Sequence, residues 1–212
     1  SLLFSDDTTK HRFIWLPPGT SAEYDARDVV AFPVGTAIIK SFGYLHDMRD
    51  PSQGEEIIET RVLIHRPDGW VGLPYIWNED KTDAVLKVAG GTKDIAWIHS
   101  DGSKRTNNYI IPNLNQCKSC HENADTMQPI GPKARHLNKD YEYADGVENQ
   151  LARWTAVGDL KGAPAAEPRM AVWNDPYTGS LDERARAWLD VNCMHCHNAK
   201  GAGNTTGLDL TY

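Results

Sequence analysis

Hydrophobic and β-branched residues in the first half of the chain form short runs that turn-forming residues interrupt. Within Glu56–Arg66, every second residue from Ile58 to Ile64 points to one face, whereas Glu59 and Arg61 point to the other. This period of two is typical of a half-buried β-strand. Similar runs predict further strands, and the whole set is His11–Pro17, Val29–Leu45, Glu56–Arg66, Trp70–Trp77, Ala84–Gly90, Ile95–His99 and Asn108–Pro112. Short strands at this spacing favour an antiparallel β-sandwich or a barrel-like domain.

After Pro112 the pattern becomes helical. Val147, Leu151 and Trp154 recur at helical spacing, and Gly158 is a typical helix stop. We therefore predict one helix that contains these three residues and an α-helical segment over residues 113–212.

A second helix is predicted from the stretch Ser180-Leu-Asp-Glu183, which has the sequence of a capping box. This helix is expected to run directly into Cys193. Its predicted apolar face consists of Leu181, Ala185, Trp188 and Leu189. Together with the strands, the two helices predict an α+β fold.

Net charge and hydropathy narrow the classes of partner. The net charge of −7 leaves no basic excess to neutralise phosphates, which argues against nucleic acid. No apolar run approaches the roughly 20 residues that a membrane-spanning helix needs, so no transmembrane segment is expected.

The chain has four cysteines, and all of them lie in two Cys-x-x-Cys-His pentapeptides. This is the attachment sequence for c-type haem, in which the cysteines bind the porphyrin and the histidine ligates the iron. We expect the two cysteines to occupy one turn at the start of a helix. The sequence thus predicts two covalently attached haems, held by Cys117, Cys120 and His121 and by Cys193, Cys196 and His197.

Two other interpretations of the cysteine pairs are open. Four cysteines are able to form a structural zinc site, and each pair is able to form a disulfide. Neither alternative requires a histidine directly after the second cysteine, so the haem interpretation explains more of the pattern.

The residues after the first motif are expected to complete its haem site. In small monohaem c-type cytochromes, a Gly-Pro followed by Leu comes after the motif, and the proline carbonyl accepts a hydrogen bond from the iron-ligating histidine. Gly131-Pro132 and Leu137 resemble this pattern. We therefore expect Pro132 to bind the His121 ring.

The distal ligand of the first haem is expected to be Met170, since such domains usually supply a methionine from a later proline-containing loop. Met127 and His136 are the alternative ligands, and Met170 could instead be an ordinary packing residue. For the second haem, no Met or His follows His197. Its ligand is expected from beyond Tyr212, from a partner, or from among Met48, His46, His65, His99 and His11, whereas His195 is expected to be a spacer.

Several stretches resemble a family of bacterial dihaem c-type cytochromes of unassigned function, in which a β-rich N-terminal region precedes two CxxCH motifs. They are LFSDDTTKHRFIWLPPGT, FPVGTAIIKSFGY, ETRVLIHRPDGWVGLPYIWNEDKTDA, NYIIPNLNQCKSCH, PIGPKARHLN and GSLDERARAWLDVNCMHCHNAKGAGNTTGLDL. The resemblance implies two haems. It also implies that the complete protein extends further at both ends and that a later Met-Pro segment ligates the second haem.

The predicted organisation is a β-rich domain over residues 1–112, a cytochrome c-like α-helical haem domain over 113–180, and the start of a second haem domain over 181–212. The expected function is electron transfer in the periplasm or at the bacterial cell surface, because haem is attached to CxxCH outside the cytoplasm, and the expected partners are redox proteins.

Two other functions are weighed against the electron carrier. One is a peroxidase-like dihaem enzyme with an open iron at the second haem. The other is a haem-bearing module of a larger cytochrome complex or filament, with Trp70, Trp77 and Trp97 as contact surface.

Overall fold

The computed structural model of the protein describes residues 4–211 and has a mixed α and β fold. The strands are β1 (Thr9–Trp15), β2 (Ala22–Glu23), β3 (Ala37–Leu45), β4 (Glu55–Arg66), β5 (Gly69–Trp77), β6 (Ala84–Leu86), β7 (Gly91–Ile98), β8 (Lys104–Ile111), β9 (Glu122–Asn123), β10 (Thr126–Met127), β11 (Asp140–Tyr143), β12 (Gly146–Asn149) and β13 (Leu160–Lys161). The helices are α1 (Leu114–His121), α2 (Ala134–Leu137), α3 (Gln150–Val157) and α4 (Leu181–Asn192).

The largest sheet has the strand order β1-β3-β4-β5-β6, and its neighbouring strands are antiparallel. The antiparallel arrangement predicted for the first half of the chain is therefore confirmed. Several strand boundaries were wrong. The largest difference is at β3, because the run Val29–Leu45 forms a regular strand only from Ala37. Pro33 lacks a backbone donor, and Gly35 has a φ of +97°, so the chain turns before β3 begins.

The hairpin β7–β8 packs on one face of this sheet and forms a second layer. The core between them consists of Phe42, Tyr44 and Ile58 from the sheet and Ile95, Trp97, Tyr109 and Ile111 from the hairpin. The ring centroids of Tyr44 and Trp97 lie 4.8 Å apart. Trp97 is therefore a core residue and not part of a contact surface.

A buried carboxylate lies within the same two layers. The side chain of Glu59 is fully buried and accepts hydrogen bonds from Arg61 and from the hydroxyl of Tyr109, which is 2.6 Å away. A buried charge requires such partners, because desolvation without them costs several kcal/mol. This network fixes the hairpin to β4.

A second core joins the two halves of the chain. Its buried residues are Ala22, Val30, Phe32, Ala134, Leu137, Leu151 and Leu160. Strand β2 pairs in parallel with β13, and Val29 forms a bridge with Lys133. The predicted division at residue 112 falls between β8 and α1, although residues on both sides share this core.

Helix α3 agrees with its predicted end but not with its predicted start. Asn149 caps the helix by accepting a hydrogen bond from the N–H of Ala152, and Gly158 ends it in the left-handed conformation with a φ of +86°. Val147 lies before the helix on β12 and is exposed, so its place in the predicted helical pattern was wrong.

The capping box of α4 is confirmed, since Ser180 and Glu183 exchange their side-chain and backbone hydrogen bonds. The predicted apolar face was wrong. Leu181 is 72% exposed and Trp188 is 37% exposed. The buried residues of the helix are Ala187, Asp190 and Val191. A buried ion pair of Asp190 orients the helix in this way, as described below.

Residues 113–211 contain four α-helices of 4 to 12 residues, strands of two or four residues, and loops. A cytochrome c-like helical domain in this part of the chain stays a prediction. None of the helices in the described residues is long and apolar enough to cross a membrane.

Replacement of Leu160 by alanine tests the shared core. Leu160 is 1% exposed, so Leu160→Ala should lower the free energy of unfolding by about 2–5 kcal/mol, because it leaves a cavity. Urea unfolding should show one transition that moves as a whole. The exposed Val157→Ala is the control and should change stability by less than about 0.5 kcal/mol. Two separate transitions, of which only one moves, would contradict a shared core.

Candidate functional site

The first motif lies at the end of a helix. Asn113 caps α1 in a reciprocal pair of hydrogen bonds with Gln116, and Cys117 and Cys120 follow one helical turn apart. His121 is the last helical residue. The second motif begins at Cys193, the residue that caps the C-terminus of α4. The expectation that the cysteines open a helix was therefore wrong for both motifs.

Cys117 is buried against the large sheet. It lies over Gly72 on β5, where a Cβ atom would lie 3.8 Å from Cys117 Cβ, an ordinary contact, and 2.9 Å from Cε at the flexible end of Met127. Burial raises the pKa of the Cys117 thiol. The sheet therefore supports the first motif from below.

The His121 ring is held by the backbone of Gln128. His121 Nδ1 donates to the Gln128 carbonyl at 2.8 Å, and the Gln128 N–H donates to the His121 carbonyl at 2.7 Å. Burial, with the charges of Lys40 and Arg61, lowers the pKa of His121 to about 4. A neutral imidazole whose Nδ1 is bound in this way presents Nε2 to a metal.

Pro132 was the expected acceptor for His121, but the structure places Gln128 in that role. The carbonyl of Pro132 accepts from the N–H of Val30 at 3.1 Å. The peptide bond between Gly131 and Pro132 is cis. The Gly-Pro pattern thus lies close to the site in sequence without supplying this hydrogen bond.

The second motif is closed by the loop that follows it. The N–H groups of Cys196 and His197 both donate to the carbonyl of Cys193, at 3.1 and 2.9 Å. Gly203 then donates to the carbonyl of Cys196 at 2.8 Å. At Gly201, a Cβ atom would lie 2.4 Å from that carbonyl oxygen, so only glycine fits there.

The two motifs lie beside each other. Asn123, two residues after the first motif, forms a bridge with Gly201, and the N–H of Ala124 donates to the carbonyl of Lys200 at 3.0 Å. Residues of both motifs, including Cys120, His121, Met194 and His195, line one cavity of about 440 Å³. Residues far apart in sequence are therefore brought to a single site.

Two polar groups of this cavity have few protein partners. His195 Nδ1 is buried and has no hydrogen-bond partner among the described residues. Lys133 is 3% exposed, and its Nζ lies 3.1 Å from the sulfur of Met194. Burial lowers the pKa of both groups. Buried polar groups of this kind are satisfied by a water molecule, an ion or a polar ligand.

A buried ion-pair cluster ties the two motif-bearing segments together. Asp190 on α4 accepts from Arg135 Nη2 at 2.7 Å and contacts His136 Nε2 at 2.5 Å, both on α2. Arg135 also donates to the carbonyl of Arg27. Burial alone raises the pKa of Asp190, but the hydrogen bonds from His136 and Arg135 outweigh it and hold that pKa well below its ordinary value of 3.8.

The predicted distal ligands of the first haem are dispersed. Met170 is partly buried in the loop between β13 and α4 and does not line the cavity. Met127 packs against Gly72, and His136 is bound through Nε2 to Asp190.

The candidates for the second haem lie away from the cavity. His11 contacts Glu55, His99 contacts Asp101, and His65 donates to the carbonyl of Phe32. Met48 packs on the core beneath β7–β8, and the backbone of His46 pairs with Gly54 and Ile98. His195, which was expected to be a spacer, lines the cavity, whereas His197 is not among the lining residues.

Three residues of the site, Gln128, Lys133 and Asp190, were not predicted from the sequence. Asp190 carried a weak signal, since it lies one turn before Cys193 on the same predicted helix. Gln128 acts through its backbone, and the burial of Lys133 depends on tertiary contacts. No sequence pattern marks either of them.

The donor set is compatible with covalent haem. The four cysteines form no disulfide with one another, so each pair remains available for two thioether bonds. Among residues 4–211, no group of three or more His, Cys, Asp or Glu is arranged to hold a metal ion. A haem iron needs only axial ligands from the protein. The orphaned His195 Nδ1 and the bound His121 ring are consistent with that chemistry.

Comparison with protein-family models, with curated proteins and with solved structures finds no match to this chain.

Replacement of Asp190 by asparagine tests the ion-pair cluster. At pH 7, Asp190→Asn should lower the free energy of unfolding by about 3–5 kcal/mol, because it leaves Arg135 without its buried carboxylate. The folded pKa of Asp190 is depressed, so its contribution is present above about pH 4 and is lost as the pH falls. Urea unfolding should therefore show a smaller difference at pH 3 than at pH 7.

The exposed Asp182→Asn on the same helix is the matched control for this variant. Asp182 lies in the first turn of α4, so its loss should cost no more than about 1 kcal/mol. Equal effects of the two substitutions would show that the cluster does not hold α4.

Proposed function

We propose that this protein is a dihaem c-type cytochrome that transfers electrons outside the cytoplasm. Each haem would be joined to the two cysteines of one motif and ligated by the motif histidine. The residues concerned are Cys117, Cys120 and His121 for the first haem and Cys193, Cys196 and His197 for the second.

The observation that carries the proposal is the meeting of both motifs at one cavity. The Asn123–Gly201 bridge and the shared lining by His121 and His195 bring the two attachment sequences together from opposite ends of the second half of the chain. Haem supplies reversible one-electron chemistry when it is bound. Two haems attached to adjoining segments of the chain would suit the transfer of electrons between redox partners.

The chain's own residues would orient the iron-ligating side. Gln128 holds the His121 ring through Nδ1, which fixes the tautomer and leaves Nε2 for the iron. Packing around the ring keeps it neutral, as a ligand must be. The cluster at Asp190 then holds α4, and with it Cys193, against α2.

For the distal side of the first haem we retain Met170 as the proposed ligand. His195 is the second candidate, and its buried, unpartnered Nδ1 in the cavity beside His121 favours it. The distal ligand of the second haem is proposed to come from a segment or partner outside residues 4–211.

The alternative is a dihaem redox enzyme of peroxidase type. It needs an open iron and an acid–base group beside it. His195 and Lys133 are polar groups of the cavity that suit this role.

The proposed location is the periplasm or the cell surface, and the proposed partners are redox proteins, including a larger cytochrome complex or filament.

Haem content tests the central claim. Protein secreted by cells that attach c-type haem should contain two haems per chain by pyridine haemochrome analysis. The double variant Cys117→Ala/Cys120→Ala should contain one, whereas Lys118→Ala, at an exposed spacer of the same motif, should retain two. A wild-type chain with fewer than two haems would refute the proposal.

The spectrum of the oxidised protein separates the carrier from the enzyme. Two low-spin haems without peroxide turnover are expected for the carrier. A high-spin haem that turns over peroxide would favour the enzyme.

Replacement of Met170 by alanine tests the proposed ligand. Met170→Ala should abolish the weak thioether–iron absorbance and lower the potential of one haem, since a thioether ligand raises it. Met127→Ala is the matched comparison and should leave both unchanged. Loss of the band in Met127→Ala, or an unchanged Met170→Ala spectrum, would assign the ligand elsewhere.

A further inference from the structure

Three cationic side chains stand in one row across the large sheet. Arg12 on β1 lies directly opposite Lys40 on β3, and Lys40 lies directly opposite Arg61 on β4. Residues in register across neighbouring strands point to the same face. Like charges in this arrangement repel one another, so the row is destabilising unless an anion lies beside it.

The protein itself supplies little negative charge to this row. Glu59, on the neighbouring row of the same face, is already engaged by Arg61 and Tyr109. Within residues 4–211, Arg12 and Lys40 form no ion pair with a carboxylate. Arg12 donates to the carbonyl of Lys10, and the Lys40 Nζ lies 4.7 Å from the centre of the Phe42 ring.

The repulsion within the row affects the pKa of Lys40. Burial, together with the charges of Arg12 and Arg61, lowers the pKa of Lys40 to about 7. Arg61 also contacts this ring, with its guanidinium carbon 4.2 Å from the Phe42 ring centre. The Phe42 ring thus positions two cations without neutralising either of them.

The row adjoins the first CxxCH motif. The charges of Lys40 and Arg61 act on the His121 ring, and that of Arg61 acts on the Cys117 thiol. Strand β5 continues the row at Pro74, opposite Arg61, and Gly72 lies two residues away on the same face against Cys117 Cβ. A group joined to Cys117 therefore lies next to the cationic row.

We propose that the row of Arg12, Lys40 and Arg61 binds the propionate carboxylates of the haem attached at Cys117 and Cys120. The inference rests on the proposed haem function and adds a role for the β-sheet, which would neutralise the haem's two anionic groups. Guanidinium and ammonium groups are the usual partners of carboxylates, with Arg suited to two parallel hydrogen bonds. The row would bind any carboxylate or small anion, so a diffusible anion is the alternative occupant to the haem propionates.

The test compares Lys40→Gln and Arg12→Gln with Arg66→Gln in the haem-loaded protein. Arg66 is exposed at the end of β4, beyond the row, so its loss changes the net charge equally. Resonance Raman spectra should show shifted propionate bending modes in the first two variants and not in the third. The reduction equilibrium of one haem should fall about tenfold in Lys40→Gln, which is about 59 mV for one electron, because a nearby cation opposes oxidation.

Unshifted propionate modes, with potentials equal to those of Arg66→Gln, would overturn the inference while leaving a two-haem count intact. Fewer than two haems would instead overturn the proposed function. If exchange of chloride for inorganic phosphate at constant ionic strength moves the wild-type potential and Lys40→Gln abolishes that response, a diffusible anion fills the row and the propionate assignment is wrong.

Arg61 is left unsubstituted because it neutralises the buried Glu59. Arg12 is exposed on the edge strand β1. Arg12→Gln therefore carries the test by itself if Lys40→Gln does not fold, as judged by circular dichroism. Its propionate modes must shift for the inference to stand.

Discussion

The buried carboxylate of Asp190 is the constraint on which the site depends. Its side chain is fully enclosed and must be paired, since an unpaired buried charge is far more costly than a lost surface contact. Arg135 and His136 provide that pairing from α2, so the buried face of α4 contains Asp190 together with the smaller apolar residues Ala187 and Val191. This is why Leu181 and Trp188 face outward. The same contact fixes the position of Cys193, where the second motif begins, relative to α2, which follows the first motif in the chain.

Glu59 connects the two layers of the β region in a similar way. It accepts hydrogen bonds from Tyr109 on the hairpin and from Arg61 on the sheet. Each carboxylate joins segments that are distant in sequence. Apolar packing alone determines the relative position of two segments less precisely, because apolar surfaces can shift against each other, whereas hydrogen bonds have preferred directions. The site therefore rests on two rigid supports, the sheet beneath Cys117 and the ion-paired helix before Cys193.

Local patterns predicted much of the fold, and long-range contacts account for what they missed. Alternation located β4 and β5 almost to the residue, and the capping box at Ser180 located α4. Periodicity failed at Val147, where β12 pairs with β11 instead of extending the helix. The motifs identified the cysteines and histidines, but not that Gln128 would hold His121. That bond comes from a backbone carbonyl, which every residue has, so its choice depends on how the chain folds back.

Gly72 shows how a missing side chain constrains a distant segment. Position 72 lies in the middle of a strand, where β-branched residues are otherwise favoured, yet a single methyl group would meet both Met127 and Cys117. A methyl group would need only the flexible end of Met127 to shift, whereas a larger side chain would press on Cys117 and push the first motif away from the sheet. The size of side chain that this interior strand position tolerates is thus limited by a motif that begins far later in the chain.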